Sequence, residues 1–332
     1  MQQYISLDDK YLNAEGIITA LVELAQGRGI PLHKLLRGTG IFEQDLYNLS
    51  QRFSLSQLLA LISQFKTLMK SNDSGFLLGH QLVNDVSPAM QSVRLSPTFG
   101  ASLNQLQKIR VMLAPLFFSR RHIFQDDFYL YLQPSIGMDE SLKNYCLEIY
   151  SAAFMSLLKK VSNHYPQSYF DFTCKRPRHI QEYEQHLGLR VRFEQPYTRW
   201  HFDKQLLKGP NPESSPVRWQ QCIAQSQLPK AVHLSFVEAV CQRIYCDKNN
   251  CLVNSAEYFA MSPATFKRKL KQHGVSFSQL QDEQNKLKAL HLLSVRQQGN
   301  EHVAARLAFY DIPNFRRAFK RWTGITPNQL KI

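Results

Sequence analysis

The sequence predicts an α+β domain, helices plus a small sheet, followed by an all-α domain with two helix-turn-helix units. Three observations predict it. At 332 residues the chain exceeds the size at which one core keeps growing, so two domains are the natural division. Helical and alternating patterns mix up to about residue 205, and only helical patterns follow. Between the two regimes lies Lys208 to Pro216, where three prolines and a glycine in nine residues permit neither helix nor paired strand. The expected division is a front domain over 1–207, a linker over 208–230 and a back domain over 231–332.

The front domain opens with helices. Ile17, Ile18, Leu21, Val22, Leu24 and Ala25 recur at helical spacing and stop at Gly27-Arg28-Gly29, with Pro31 opening another turn. Phe53 to Met69 repeats the pattern through Leu55, Leu58, Leu59, Ile62, Phe65 and Leu68, and a further helix runs from about Ala101 to Leu113. The period then changes. Phe124 to Leu132 alternates around Phe128, Leu130 and Leu132 with tyrosines between, a strand signal. Tyr169 to Thr173 and Leu189 to Phe193 are two more strand candidates, separated by helices at about Ser141–His164 and Arg178–His186. The Ser141–Lys160 stretch carries Leu142, Leu147, Ile149, Phe154 and Leu157; burial in its own domain is the stronger expectation, and a homodimer contact stays open.

Composition narrows the class. With 44% hydrophobic and 20% charged residues the chain lies in the globular range, away from disordered and fibrous sequences. No apolar run approaches the roughly 18 residues of a spanning helix, and the start MQQYISLDDK has no signal-peptide profile, so a cytoplasmic protein with no membrane partner is expected. The six cysteines show no C-x-x-C spacing and are expected to be reduced structural thiols, with no metal site. The formal net charge is +14, and residues 228–332 hold 16 basic against 7 acidic residues. A basic domain attracts polyanions, nucleic acid first.

Two helix-turn-helix patterns follow each other in this basic third. In the first, a helix over about Leu252–Phe259 meets a turn at Met261. Ser262-Pro263 then starts a second helix, because serine caps an unpaired backbone N–H and proline at the first helical position loses no bond. That helix, Pro263–Gln272, buries Phe266 and Leu270, leaves Ala264, Thr265, Lys267, Arg268 and Lys271 outside, and ends at Gly274. The second pattern starts near Glu301, turns at Phe309-Tyr310-Asp311 and restarts as Ile312–Trp322. There Phe315, Ala318, Phe319 and Trp322 form the core stripe, while Asn314, Arg316, Arg317, Lys320 and Arg321 lie off it. Four cations on one short helix can meet phosphates and guanine edges. Ser278–Leu293 between the units is a rigid spacer of roughly 24 Å.

Ala256-x-x-Phe259-x-Met261-Ser262-x-x-Thr265-Phe266-x-Arg268-x-Leu270, Gly274-x-Ser276-Phe277, Ala289-x-x-Leu292-Leu293 and above all Asn314 to Pro327 resemble the DNA-binding domain of the AraC/XylS family of bacterial transcription regulators. The resemblance implies double-stranded promoter DNA and RNA polymerase as partners, more often for activation than repression. It implies base contacts from Ala264, Lys267 and Arg268 in the first unit and from Pro313, Asn314, Arg316 and Arg317 in the second, with Thr265 and Lys320 meeting phosphates. Three positions depart from the family pattern. Ala308 stands where a glycine is usual, Asn285 replaces an arginine, and Tyr310 replaces a small residue. Because Ser262-Pro263 gives the first unit the cleaner turn chemistry, Arg268→Ala is expected to abolish site-specific binding and Arg317→Ala only to weaken it. Phe76-Leu77-Leu78-Gly79 and Leu95 to Gly100 with Leu103 resemble the arabinose-binding-domain-like effector domain of one branch of the family. That implies a small-molecule effector and assigns no ligand residue.

Two alternatives stay open: an enzyme domain fused to a DNA-binding tail, and a non-specific nucleic-acid-binding protein. The first finds no G-x-S-x-G elbow, H-E-x-x-H or Walker loop, and Gly38-Thr39-Gly40 lacks the third glycine of a dinucleotide fingerprint, so no catalytic residue or cofactor is expected.

Overall fold

A computed structural model describes residues 4–162, 167–226, 234–247 and 251–330. The chain forms two compact units, Met1–Ser235 and Phe236–Ile332.

The first unit begins with seven helices: α1 (Ile17–Gly27), α2 (Leu32–Leu35), α3 (Glu43–Leu46), α4 (Leu55–Met69), α5 (Ser74–Asn84), α6 (Pro88–Arg94) and α7 (Phe99–Leu113). Strands β1 (Phe117–Phe124) and β2 (Asp127–Pro134), α8 (Glu140–Val161), β3 (Ser168–Asp171), α9 (Ile180–Leu187), β4 (Val191–Arg192), β5 (Arg199–Asp203) and α10 (Pro216–Gln225) follow. The sheet order is β1-β2-β5-β3-β4, antiparallel except for the β3/β4 pair. Starts follow local chemistry. Ser54 Oγ accepts from the backbone N–H of Gln57 and the Ser54 N–H donates to Gln57 Oε1 in return, a capping box, and Ser87 caps α6 with Pro88 at its first position.

The inner face of the sheet meets α8. Phe154 of α8 lies 4.6 Å from Trp200 and 5.8 Å from Phe202, ring centre to ring centre, and Phe99 lies 5.4 Å from Phe202. The helix expected near Ser141–Lys160 is thus α8, with Leu147, Ile149, Phe154 and Leu157 all buried in its own unit. The outer face is aromatic and polar. His201 stacks between Tyr129 and Tyr169 at 5.1 and 4.4 Å, and the fully buried Asp171 holds Arg192 and Arg199 at 2.7 and 2.6 Å. Both faces are packed, which is why the tyrosines between Phe128 and Leu132 are as buried as the residues they alternate with.

Three expectations change. Phe124 does not open the second strand; it closes β1, and Gln125-Asp126 turn the chain in a two-residue hairpin with Gln125 at φ 50°. Without glycine or asparagine the turn carries no hairpin signal. β5 was not expected, because charged Arg199 and Asp203 frame its inward Trp200 and Phe202. Residues 208–226 are not a linker. Asn211 Nδ2 donates to the carbonyls of Arg94 and Ser96 at 2.6 and 2.7 Å, Glu213 pairs with Arg94 at 2.9 Å, and Trp219 Nε1 donates to the Ser92 carbonyl at 2.9 Å. The prolines straighten this strap and Pro216 starts α10, while its polar groups are spent on α6 and the turn after it. Residues 227–230 of the expected linker lie outside the described residues.

Two imidazoles, His201 buried and His80 half-buried, set an acid limit on this unit. Burial, helped by Arg199, pulls His201 down to about 4. His80, bonded to Ser156 and at 2.9 Å to His186, is likewise lowered to about 4 by burial and by the charges of His186 and Lys159. In the unfolded chain both titrate near 6.5, so between about 4 and 6.5 the unfolded state binds more protons and stability falls as pH falls. Thermal unfolding followed from pH 7 to pH 4 is expected to show this loss, and His201→Gln to remove part of it; a variant with the wild-type pH profile would exclude His201 as a source.

The second unit holds α11 (Phe236–Cys246), α12 (Leu252–Tyr258), α13 (Pro263–Gln272), α14 (Phe277–Leu290), a single π-helical turn (His291–Val295), α15 (Asn300–Arg306) and α16 (Ile312–Thr323). α14 packs on both α11 and α16, so the spacer is the spine of the unit. Its 14 residues span about 21 Å. Among the described residues no helix is long and apolar enough to cross a membrane.

Candidate nucleic-acid interface

Each helix-turn-helix unit is a short helix, a tight turn and an N-capped longer helix. In the first, α12 ends in a turn where the N–H groups of Ala260 and Met261 return to the carbonyls of Glu257 and Ala256, both at 2.9 Å. Ser262 Oγ then accepts from the N–H of Thr265 at 3.2 Å, and Pro263 stands first in α13. The helix bounds, Pro263–Gln272, are those the caps predict. Phe266 and Leu270 anchor α13 inward. Phe266 sits 5.7 Å from Phe259, 6.0 Å from Phe236 and 6.2 Å from Phe277, a cluster that joins the unit's first four helices. Ala264, Thr265, Lys267 and Arg268 are all exposed.

The second unit repeats the design. The N–H groups of Ala308 and Phe309 return to the carbonyls of Ala305 and Ala304 at 3.2 and 2.9 Å. Asp311 then caps α16 from one carboxylate oxygen, 2.6 Å from the N–H of Asn314, while its other oxygen accepts from Asn314 Nδ2 at 2.9 Å. Asn314 Oδ1 in turn accepts from Arg317 Nη2 at 2.6 Å. Asp311, Asn314 and Arg317 therefore form one chain of bonds along the helix start, which fixes the amide's orientation and aims the guanidinium. Phe315, Ala318 and Phe319 are buried, and Phe309 seals the turn against Phe315 at 5.7 Å and Trp322 at 5.9 Å. Pro313, Arg316, Arg317 and Lys320 are exposed, and Asn314 is half-buried in its bonds. Arg321, off the core stripe as expected, reaches back to α14 and meets both oxygens of Asp282 at 3.0 and 3.1 Å.

The turns correct the expected inequality between the units. Ala308 does adopt the left-handed conformation, φ 58°, but Ala260 at the matching point of the first turn does too, φ 52°. Both turns pay the side-chain penalty, so the first is not the less strained. The caps match too: Ser262 Oγ accepts from the Thr265 N–H and donates to Thr265 Oγ1 at 3.0 Å, as the Asp311 carboxylate accepts twice from Asn314. The sequence pattern marks Asp311 only as part of the turn and does not mark Ala260; the signal for Asp311 is the cap pattern Asp311-x-x-Asn314, which matches Ser262-x-x-Thr265. Glycine at either alanine is expected to raise stability by on the order of 1 kcal/mol. Denaturant midpoints of Ala260→Gly and Ala308→Gly check this, and a lower midpoint would show that the turns are relaxed as they stand.

Paired short and capped helices with exposed cations define a tandem helix-turn-helix domain, the class in which the second helix of each unit lies in a DNA groove. Residues 255–331 match the family described as a helix-turn-helix domain. Residues 29–211 match the family described as the arabinose-binding domain of AraC transcription regulators, N-terminal, and the chain belongs to that family. It is similar to the ornithine utilization regulator of Pseudomonas aeruginosa, 28% identical over 169 residues, covering 48% of this chain and 49% of that one. An uncharacterized HTH-type transcriptional regulator of Mycobacterium tuberculosis is 26% identical over 144 residues, covering 42% of each chain. The chain thus spans about half the length, or less, of the curated relatives it matches. Among solved structures, the transcriptional regulator CdpR from Pseudomonas aeruginosa aligns with a TM-score of 0.48 at 17% identity, covering 94% of this chain and 96% of that one.

Proposed function

We propose that the protein is a sequence-specific DNA-binding regulator of transcription, acting in the cytoplasm, whose front unit binds a small-molecule effector and so changes DNA engagement. In this reading α13 and α16 enter major grooves of promoter DNA. Ala264, Lys267, Arg268, Pro313, Asn314, Arg316 and Arg317 face base edges, and Thr265 and Lys320 take phosphates. RNA polymerase is the downstream partner, activation the sign, and a homodimer the assembly that would double the recognition helices on DNA. The front unit carries no catalytic step. The observation that carries the reading is the repetition of one design: two capped helices with buried phenylalanines inside and exposed arginine and lysine outside, in one basic unit.

Selection of bound fragments from random duplex DNA tests it. The expected product is a motif of two short elements whose centres lie about 10 bp apart, one helical turn, as two grooves on one face require. Recovery of fragments with no common motif would leave only charge-driven binding and overturn the proposal.

A further inference from the structure

The first unit contains a cavity of about 110 Å³ between the inner face of β1 and β2 and helices α6, α7 and α8. Its wall is mostly apolar, with Leu103, Phe117, Leu132 and Phe154 among its members, and Gln107, Ser119 and Tyr150 add polar atoms. An apolar cavity of about 150 Å³ takes a benzene ring, so this smaller one suits a hydrocarbon body of up to about six carbon atoms. A sugar, with a hydroxyl on nearly every carbon, would press several of them against the apolar part of that wall, and each one buried unbonded would count against binding.

Strand register brings two N–H donors to that wall. Arg121 of β1 is opposite Leu130 of β2, and Leu130 is opposite Trp200 of β5. Directly opposed residues project from one face, so the three form a row across the sheet, and all three line the cavity. Trp200 is 7% exposed, and its Nε1–H has no acceptor. The Arg121 guanidinium donates to Asn104 Oδ1 at 2.6 Å and to the Leu103 carbonyl, both neutral, and its Nε–H is buried without an acceptor. Among the described residues no carboxylate forms an ion pair with it. Burial, and then the like charge of Arg110, another lining residue, pull the Arg121 pKa below the ordinary arginine value. A half-buried cation and an idle indole N–H at the edge of an apolar space lack one thing in common, an anionic acceptor. The backbones of Arg121 and Trp200 are two strand spacings apart, about 10 Å, a gap that their side chains and one carboxylate can bridge.

We propose that this cavity is the effector site and that its effector is an apolar monocarboxylate with a body of up to about six carbon atoms, alkyl or aryl. The carboxylate bonds Arg121 and Trp200, and the hydrocarbon body fills the wall between the sheet and α7 and α8. The assignment rests on the reading of the front unit as an effector domain and adds the chemistry of the effector.

Calorimetric titration of the full chain with hexanoate and phenylacetate, against hexanamide, phenylacetamide and arabinose, tests it. At least one acid is expected to bind, and its amide to bind about tenfold more weakly or worse, the usual margin of a charge-assisted bond. Arg121→Gln should remove that margin by weakening the acid far more than the amide. Leu132→Trp, which fills the cavity, should abolish binding of acid and amide while circular dichroism stays that of the wild type. If Arg121→Gln does not fold, the acid-to-amide ratio of the wild type and the Leu132→Trp result still decide. Neither acid binding, equal binding of acid and amide, or binding of arabinose alone overturns the proposal. DNA selection on the same preparation separates the two readings: a chain that selects a DNA motif but takes neither acid remains a regulator and loses this site, and a chain that takes an acid without DNA selectivity does the reverse.

Discussion

Gly79→Ala is expected to destabilise the first unit by about 3 kcal/mol, the upper end of the usual cost of overpacking. A Cβ at Gly79 would stand 2.1 Å from the Ile149 carbonyl oxygen, 2.7 Å from the Ala152 Cβ and 2.9 Å from the Ala153 nitrogen. Two of these atoms are backbone of α8, so no side chain can rotate away and the two helices must separate. Separation would loosen Phe76, Leu78 and Leu82 of α5 from the core that α8 shares with the sheet. For a unit of this size the expected fall in melting temperature is roughly 10 °C. Gly27→Ala is the control, since nothing lies within 4 Å of its added Cβ. Scanning calorimetry on both variants checks the pair, and a Gly79→Ala melting temperature equal to wild type would show that α5 and α8 do not cross this closely.

Alanine at Arg317 is expected to cost about 1–3 kcal/mol at a single base position of the preferred site and to relax discrimination there, with little effect at other positions. Arg317 is held by Asn314, which is held by Asp311, so its guanidinium needs little ordering on binding. Arg268→Ala is expected to fall in the same range rather than to abolish site-specific binding, because both turns carry the same left-handed alanine and neither unit is the weaker frame. Lys320→Ala should instead weaken all sequences alike and lower the salt slope by about one. Affinities of the three variants for every single-base change of the selected site separate these roles. A uniform loss for Arg317→Ala would reassign it to phosphate.

Legibility in the sequence followed the range of the interaction. The bounds of α13 could be read because Ser262, Pro263 and Gly274 act within one turn of their own helix. The exposed faces of α13 and α16 could be read because the phenylalanine stripes leave one side of a helix for the cations. The Phe76 to Gly79 and Leu95 to Gly100 patterns were visible, but their reason was not. Gly79 is small because of Ile149, 70 positions on, and Gly100 because a Cβ there would meet the Leu207 carbonyl oxygen at 2.7 Å. The strap over 208–226 was misread for a like cause: its prolines report stiffness, whereas its partners on α6 lie more than a hundred residues away. Arg121 and Trp200 come to one face of the sheet only through strand register, which rests on a hairpin whose turn, Gln125-Asp126, carries no sequence signal.

The central claim is that the second unit reads sequence rather than charge. Competition binding at fixed physiological salt, with the selected site against a scrambled duplex of the same length and composition, tests it most directly. The selected site is expected to win by a factor of about 10³ or more. Equal affinities for the two duplexes, falling together and steeply as salt is raised, would contradict it.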